Sequence, residues 1–151
     1  MTVPADLVPL AYRLVERLTS HYTARLAELG LSRAEAKALL VLEPGGQLPV
    51  SVVAERLWAD RSNTTSLINR LIARGLIERV AGAEAGLRDG RTRVVSLTPA
   101  GLDLRARLMA RTAVDSPLLG DLSPDELVTL RDLLARIDWA AAGQVITPIS
   151  G

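Results

Sequence analysis

Cysteine and phenylalanine are absent from this chain of 151 residues, and lysine and histidine occur once each, as Lys37 and His21. Without cysteine there are no disulfides, no thiolate redox chemistry and no thiolate metal sites. One histidine does not make a histidine metal cage, so we expect neither a metal nor another cofactor. With two Trp, two Tyr and no Phe, the core must be built from aliphatic side chains.

Long apolar runs and catalytic motifs are also lacking. No segment approaches the roughly eighteen consecutive apolar residues of a membrane span, and the N-terminus does not follow a signal-peptide pattern. We therefore expect a cytoplasmic protein that does not contact membranes. Ser, His and Asp are present for a hydrolytic triad, but no G-x-S-x-G elbow, P-loop or dinucleotide fingerprint occurs, and His21 falls inside a predicted helix. The sequence thus favours a protein that is not an enzyme.

The stretch from Asp60 to Gly75 predicts one short helix with two different faces. Its apolar positions recur with the helical period, and Thr64 falls on the same side: Leu67, Ile68, Leu71 and Ile72. The opposite side is polar or small: Ser62, Ser66, Asn69, Arg70 and Ala73, flanked by Asn63 and Thr65. We expect Ser62 to cap the N-terminus and Gly75 to end the helix.

The polar side of this helix carries neither Glu nor Lys, the usual residues of a solvated helix surface. Short Ser, Thr and Asn side chains allow a close approach to a DNA groove, where Asn can pair with adenine and Arg with guanine. This favours a DNA recognition helix over the alternative, a polar helix packed on its own domain. Charge agrees, because residues 61–93 hold seven arginines and three acids, net +4, in a chain of net +1.

The flanking sequence predicts a helix-turn-helix followed by a β-hairpin. A capping box from Ser32 to Glu35 begins a helix that runs to about residue 43, and Pro49 begins another that ends near residue 59. Residues 76–80 and 93–97 alternate like strands around an Asp-Gly turn at Asp89. A hairpin directly after a recognition helix is a wing.

Amphipathic helices are predicted on both sides of this winged module. The first covers residues 5–29, Thr98-Pro99 begins a fifth helix, and Ser123-Pro124 begins a sixth. The sixth has a coiled-coil-like seam: Leu127, Leu130, Leu134, Ile137 and Ala141. Such seams favour pairing with a second copy of the chain, although the alternative is packing within one subunit.

The predicted fold class is mainly α with a small β-hairpin wing: a winged helix-turn-helix with terminal dimerisation helices. We predict an N-terminal dimerisation helix at 1–30 and a DNA-binding domain at 31–97. C-terminal dimerisation helices would follow at 98–142, and an irregular tail at 143–151.

The order of elements and three motifs resemble the multiple antibiotic resistance regulator (MarR) family of bacterial transcription factors. The motifs are the run from Thr65 to Arg79, Asp89-Gly90-Arg91, and Leu97-Thr98-Pro99-Ala100-Gly101. The resemblance implies a homodimer on a pseudo-palindromic operator of double-stranded DNA, with each recognition helix in a major groove. It also implies a minor-groove contact by Arg91, which Asp89 supports, and repression that a small aromatic or anionic effector relieves. The segment from Val80 to Arg88 is longer than the usual wing of that family.

The recognition helix and the wing supply the candidate DNA contacts. We predict base contacts from the polar side of the helix: Ser62, Asn63, Thr65, Ser66, Asn69 and Arg70. We predict phosphate contacts from four arginines: Arg61, Arg74, Arg88 and Arg93. The alternative is that some of these residues pair with Glu78, Asp60 or Asp89.

A candidate effector site lies on the first helix, where His21 and Arg25 are one turn apart. Arg offers a planar fork to a carboxylate, His can donate a hydrogen bond, and Tyr22 and Trp58 are candidate aromatic walls. The alternative is a histidine bonded to backbone and an arginine at the dimer interface. For the whole chain, the alternative function is a winged-helix module for protein–protein contact without ligand control.

Overall fold

The computed structural model describes residues 4–80 and 94–137, which form six helices and a three-stranded antiparallel sheet. The helices are α1 (Leu7–Glu28), α2 (Arg33–Val41), α3 (Val50–Leu57), α4 (Arg61–Ala73), α5 (Pro99–Ala113) and α6 (Pro124–Arg136). The strands are β1 (Leu48–Pro49), β2 (Ile77–Val80) and β3 (Val94–Leu97). The predicted class, mainly α with a small β component, is confirmed. Within the described ranges, no helix is both long and apolar enough to cross a membrane.

Three helix starts follow the predicted capping residues. The Ser32 hydroxyl accepts a hydrogen bond from the Glu35 amide, and the Glu35 carboxylate accepts one from the Ser32 amide at 2.8 Å. Ser123 and Glu126 repeat this capping box at α6. Thr98 caps α5, with Pro99 in the first helical position. These side chains satisfy amide groups that would otherwise lack partners in the first turn.

Four details of the prediction differ from the structure. Helix α4 begins at Arg61 rather than after Ser62, because the Thr64 amide already bonds the Asp60 carbonyl at 2.9 Å. Pro49 lies in β1 and precedes α3 instead of starting it, and β1 adds a strand that two residues are too short to reveal by alternation. Helix α2 ends at Val41, since Leu42 adopts extended backbone.

The sheet has the order β1-β3-β2, with β3 in the centre. Strands β2 and β3 pair from Ile77 opposite Leu97 to Val80 opposite Val94. This pair is the base of the predicted wing. Four residues assigned to the wing lie outside the described residues: Arg88, Asp89, Arg91 and Arg93. Ala141 of the predicted α6 seam lies outside them as well.

Left-handed residues end two neighbouring helices. Gly75 ends α4 as predicted, with φ +69° and a backbone bond from the Leu76 amide to the Leu71 carbonyl at 2.9 Å. Trp58 closes α3 in the same way with φ +55°. A residue with a Cβ atom is disfavoured there by about 1–2 kcal/mol. Trp58 is 67% exposed, so burial offsets little of this strain.

The chain divides into two compact units. The unit from Thr19 to Val114 contains an aliphatic core drawn from α1 to α5 and the sheet, as the composition predicted. In the other unit, which comprises residues 1–18 and 115–151, helix α6 has no buried residue. The domain boundaries proposed from the sequence stay a prediction.

Gly101 is where α5 meets the segment between α4 and β2. A Cβ atom at this position would overlap the Leu76 carbonyl oxygen and lie 3.2 Å from Leu97 Cδ2. The same carbonyl accepts a hydrogen bond from the Thr98 amide at 3.1 Å, and the Thr98 hydroxyl donates to the Gly75 carbonyl at 2.6 Å. The first turn of α5 therefore packs directly on backbone.

Gly101→Ala is expected to lower the free energy of unfolding by about 2–3 kcal/mol, because a backbone carbonyl has to move to admit the methyl group. Urea unfolding followed by circular dichroism measures the change. Gly120→Ala is the matched control, since a Cβ atom there meets no atom within 4 Å. Equal stability of both variants would contradict the close approach.

Candidate nucleic-acid interface

Helix α4 separates its residues cleanly into a buried and an exposed face. Thr64, Leu67, Ile68 and Leu71 are at most 5% exposed and pack into the core. The Thr64 hydroxyl donates to the Asp60 carbonyl at 3.0 Å, so this buried polar group has a partner. The six residues predicted to contact bases are all exposed: Ser62, Asn63, Thr65, Ser66, Asn69 and Arg70.

The exposed face combines small donors and acceptors with one long cation. The Thr65 hydroxyl donates to the Arg61 carbonyl at 2.9 Å, which holds the side chain close to the helix and leaves the oxygen free to accept. Ser62 and Ser66 lie one turn apart on the same side. Apart from the one long cation, the side chains on this face are short. The helix backbone can therefore come close to the edges of the base pairs in a groove.

Strand β2 places a further cation beside this face. The Arg79 Nη2 atom donates to Asn69 Oδ1 at 2.5 Å, and both side chains are exposed. Sequence reasoning missed Arg79 as a site residue. The helix stop at Gly75 and the strand pattern after it could have identified Arg79, since the chain turns back at Gly75 and the four-residue strand β2 runs alongside α4.

A cleft of about 310 Å³ lies between the start of α3, the first half of α4 and β2. It is lined by Pro49, Val50, Ser51, Arg61, Thr65, Ile68 and Arg79. Two guanidinium groups and the N-terminal end of α3, where Pro49 provides no side-chain cap, border the same space. Positive charge and helix-terminal amides both favour an anion such as a phosphate group.

Arg74, predicted to contact phosphate, forms an ion pair with Glu35 of α2 at 3.1 Å. Burial raises the pKa of Glu35, but hydrogen bonds from Ser32 and Arg74 and the positive charge of Arg74 outweigh it. The pKa of Glu35 therefore lies below its ordinary value. The carboxylate is charged at neutral pH and neutralises Arg74, so this arginine adds less positive potential to the surface than Arg61 or Arg79.

The predicted effector residues of α1 have protein partners. His21 Nε2 lies 3.1 Å from the Thr112 carbonyl oxygen of α5, as in the alternative of a backbone-bonded histidine. Arg25 Nη1 pairs with Glu28 Oε1 at 2.9 Å, and Arg111 Nη2 pairs with Glu28 Oε2 at 2.7 Å. Arg25 Nε is buried with no hydrogen-bond partner.

The two predicted aromatic walls differ in their surroundings. Tyr22 packs against the core, and burial raises the pKa of its phenol despite the opposing charge of Arg33. Trp58 is largely exposed at the end of α3. The effector site stays a prediction.

Comparison with known proteins places residues 29–86 in the family model described as the MarR family. A curated relative is the uncharacterised HTH-type transcriptional regulator YfiV of Bacillus subtilis (strain 168), which is 39% identical over 71 residues. That match covers 47% of this chain and 42% of the relative, so less than half of the relative's length is spanned. The matched family segment contains α2, α3, α4 and β2, including the proposed recognition helix.

Solved structures extend the similarity over nearly the whole chain. The YusO protein from Bacillus subtilis has a TM-score of 0.70 at 25% identity, with 90% of this chain and 94% of that chain covered. A MarR family protein from Bacillus stearothermophilus has a TM-score of 0.75 at 22% identity, with 91% and 94% covered, which supports the fold alone. The sequence match and the shared architecture lead to one conclusion: residues 29–86 resemble the MarR family, and the chain has the winged helix-turn-helix fold of MarR family proteins of known structure.

Proposed function

We propose that this protein is a sequence-specific, DNA-binding transcriptional regulator that acts as a homodimeric repressor. The observation that carries the proposal is the exposed face of α4, where every predicted base-contacting side chain is open to solvent. The opposite face is buried and fixes the rotation of the helix about its axis. A rigid helix with a small, hydrogen-bonding outer face suits the major groove.

Phosphate contacts would surround this helix. Arg61 and Arg79 border the cleft at the start of α3, where a DNA phosphate would meet two guanidinium groups and helix-terminal amides. Arg74 would share its charge with Glu35. For the wing, minor-groove contact by Arg91 with support from Asp89, and phosphate contact by Arg88 and Arg93, stay proposals from the sequence.

Dimerisation is supported by the terminal helices. Helix α6 buries no residue within one copy of the chain. Of its seam residues, Leu127 and Leu130 are half-exposed and Ile137 is 53% exposed. The first half of α1 also presents apolar side chains to solvent: Leu7, Val8, Leu10, Tyr12 and Val15. An amphipathic helix gains most of its stability by burying its apolar face, and a second copy would supply the missing surface. Two copies would present two α4 helices to a pseudo-palindromic operator.

Release by a small effector would use the cluster at His21 and Arg25. The buried, unpartnered Nε atom of Arg25 is a hydrogen-bond donor that a carboxylate could satisfy. Binding there would compete with the Arg25–Glu28 pair and disturb the contact between α1 and α5. An aromatic carboxylate is the ligand class proposed.

Arg70→Ala is expected to weaken binding to the specific operator by about 1–3 kcal/mol, because a direct base contact is lost. Arg61→Ala is expected to weaken binding to all duplexes alike and to reduce the slope of log K against log salt by about one. Gel shifts with DNA from upstream of the protein's own coding sequence, at several salt concentrations, measure both effects.

Arg107→Ala is the control for loss of one positive charge, since Arg107 lies on α5 and its side chain is 60% exposed beside Asp103. Unchanged operator affinity in both Arg70→Ala and Ser66→Ala would contradict the assignment of α4. Absence of salt-sensitive DNA binding by the wild-type protein would favour the protein–protein module instead.

Leu130→Glu is expected to convert a dimer to a monomer, because a carboxylate in an apolar interface loses its hydration. Sedimentation equilibrium measures the mass, and circular dichroism checks that the helices persist. Thr129→Glu adds the same charge one residue away, at an exposed position whose hydroxyl bonds the Asp125 carbonyl. Dissociation by both variants equally, or by neither, would speak against the α6 seam as the interface.

His21→Ala and Arg25→Ala are each expected to raise the half-maximal concentration of an aromatic carboxylate about tenfold, because one charge-assisted hydrogen bond to the ligand is lost. Benzoate titrated into the protein–operator complex, followed by fluorescence anisotropy of labelled DNA, gives the half-maximal concentration. Arg107→Ala should respond like the wild type. A wild-type response in both α1 variants would remove the proposed site.

A further inference from the structure

We propose that Arg79 is a positioning residue that fixes the Asn69 side chain as a hydrogen-bond donor, so that α4 selects guanine over adenine opposite Asn69. The inference rests on the proposed function, because it concerns how α4 would read a base pair. It reverses the ordinary expectation for asparagine, which pairs with adenine through its amide oxygen and nitrogen together.

The contact between the two side chains determines the orientation of the amide. A guanidinium group has five N–H donors and no acceptor, so the partner it faces must be the amide oxygen of Asn69. Arg79 Nη2 and Asn69 Oδ1 are 2.5 Å apart. The Nδ2 group, with its two N–H donors, is therefore directed away from Arg79.

The position of Arg79 is set by the sheet rather than by α4. Arg79 pairs with Val95 in the central strand, and Val95 is fully buried. The amide of Asn69 thus meets the guanidinium group of a residue whose backbone is held in strand β2, by pairing with β3. Asn69 itself lies on the exposed side of α4, one turn after Thr65 and Ser66.

Base chemistry then favours guanine. Adenine presents the N7 acceptor and the N6 donor in the major groove, so its amino group would have to donate to an amide oxygen that already accepts from Arg79. Guanine presents N7 and O6, which are both acceptors and match the free donors of Nδ2. The positive charge beside Oδ1 also repels the amino group of adenine and attracts guanine O6.

The neutrality of Asn69 leaves this charge in place. Arg74 and Arg111 each face a carboxylate, Glu35 and Glu28, which cancels their charge locally. Within residues 4–80 and 94–137, Arg79 bonds a neutral amide and forms no ion pair. The Arg79–Asn69 pair therefore presents donors and a net positive charge to the groove.

Selection from a duplex library with a randomised half-site tests this, with the full chain and sequencing of the bound DNA. Asn69→Ala identifies the base pair that Asn69 reads, as the position whose preference is lost. At that position the wild type should prefer guanine over adenine about tenfold. Arg79→Met frees the amide oxygen and should shift the preference toward adenine, whereas Arg79→Lys, which also only donates, should keep guanine.

Arg107→Met is the control for charge loss and should leave every base preference unchanged. A purely structural role of Arg79 would lower affinity without changing the preferred base. Preference for adenine by the wild type, retention of guanine by Arg79→Met, or no altered position in Asn69→Ala would each overturn the inference. If the wild type binds no duplex in a salt-sensitive way, the proposed function fails and the inference fails with it. If it binds DNA but shows no such switch, only the inference fails.

Discussion

Burial of one face of α4 is the constraint on which the rest of the molecule depends. Thr64, Ile68 and Leu71 are completely buried, so the helix cannot rotate about its axis without exposing apolar surface. Each methylene group removed from water contributes roughly 0.8 kcal/mol, and these side chains together fix the outward direction of their neighbours. Packing in the core therefore sets the orientation of the polar face, and bound DNA is not needed to hold it.

The turn after α4 fixes the position of strand β2 beside the helix. Gly75 adopts a left-handed conformation, the chain reverses, and β2 runs back beside the helix with Arg79 near Asn69. The same turn receives α5, because the Gly75 and Leu76 carbonyls accept hydrogen bonds from Thr98. One short segment thus joins the proposed recognition helix, the base of the wing and the next long helix.

Local signals predicted much of this fold. Ser32, Thr98 and Ser123 cap helices because their hydroxyl groups act within three residues, and the inward set of α4 follows from the helical period. The pairs Asn69–Arg79 and Arg74–Glu35 could not be predicted, because they join residues on different elements. Strand β1 was missed for a similar reason, since its two residues are ordered by pairing with β3. For the candidate site, the sequence identified the exposed side chains of α4 but not the neighbours that restrict them.

The contact at Gly101 has a mechanical consequence. Backbone atoms packed this closely, and joined by the Thr98 hydrogen bonds on either side, have no room to slide past each other. A tilt of α5 must therefore carry the last turn of α4 with it, while the opposite end of α5 holds the carbonyl of Thr112 that meets His21. Helix α5 therefore connects the His21 contact at one of its ends to the end of α4 at the other, where Gly101 lies.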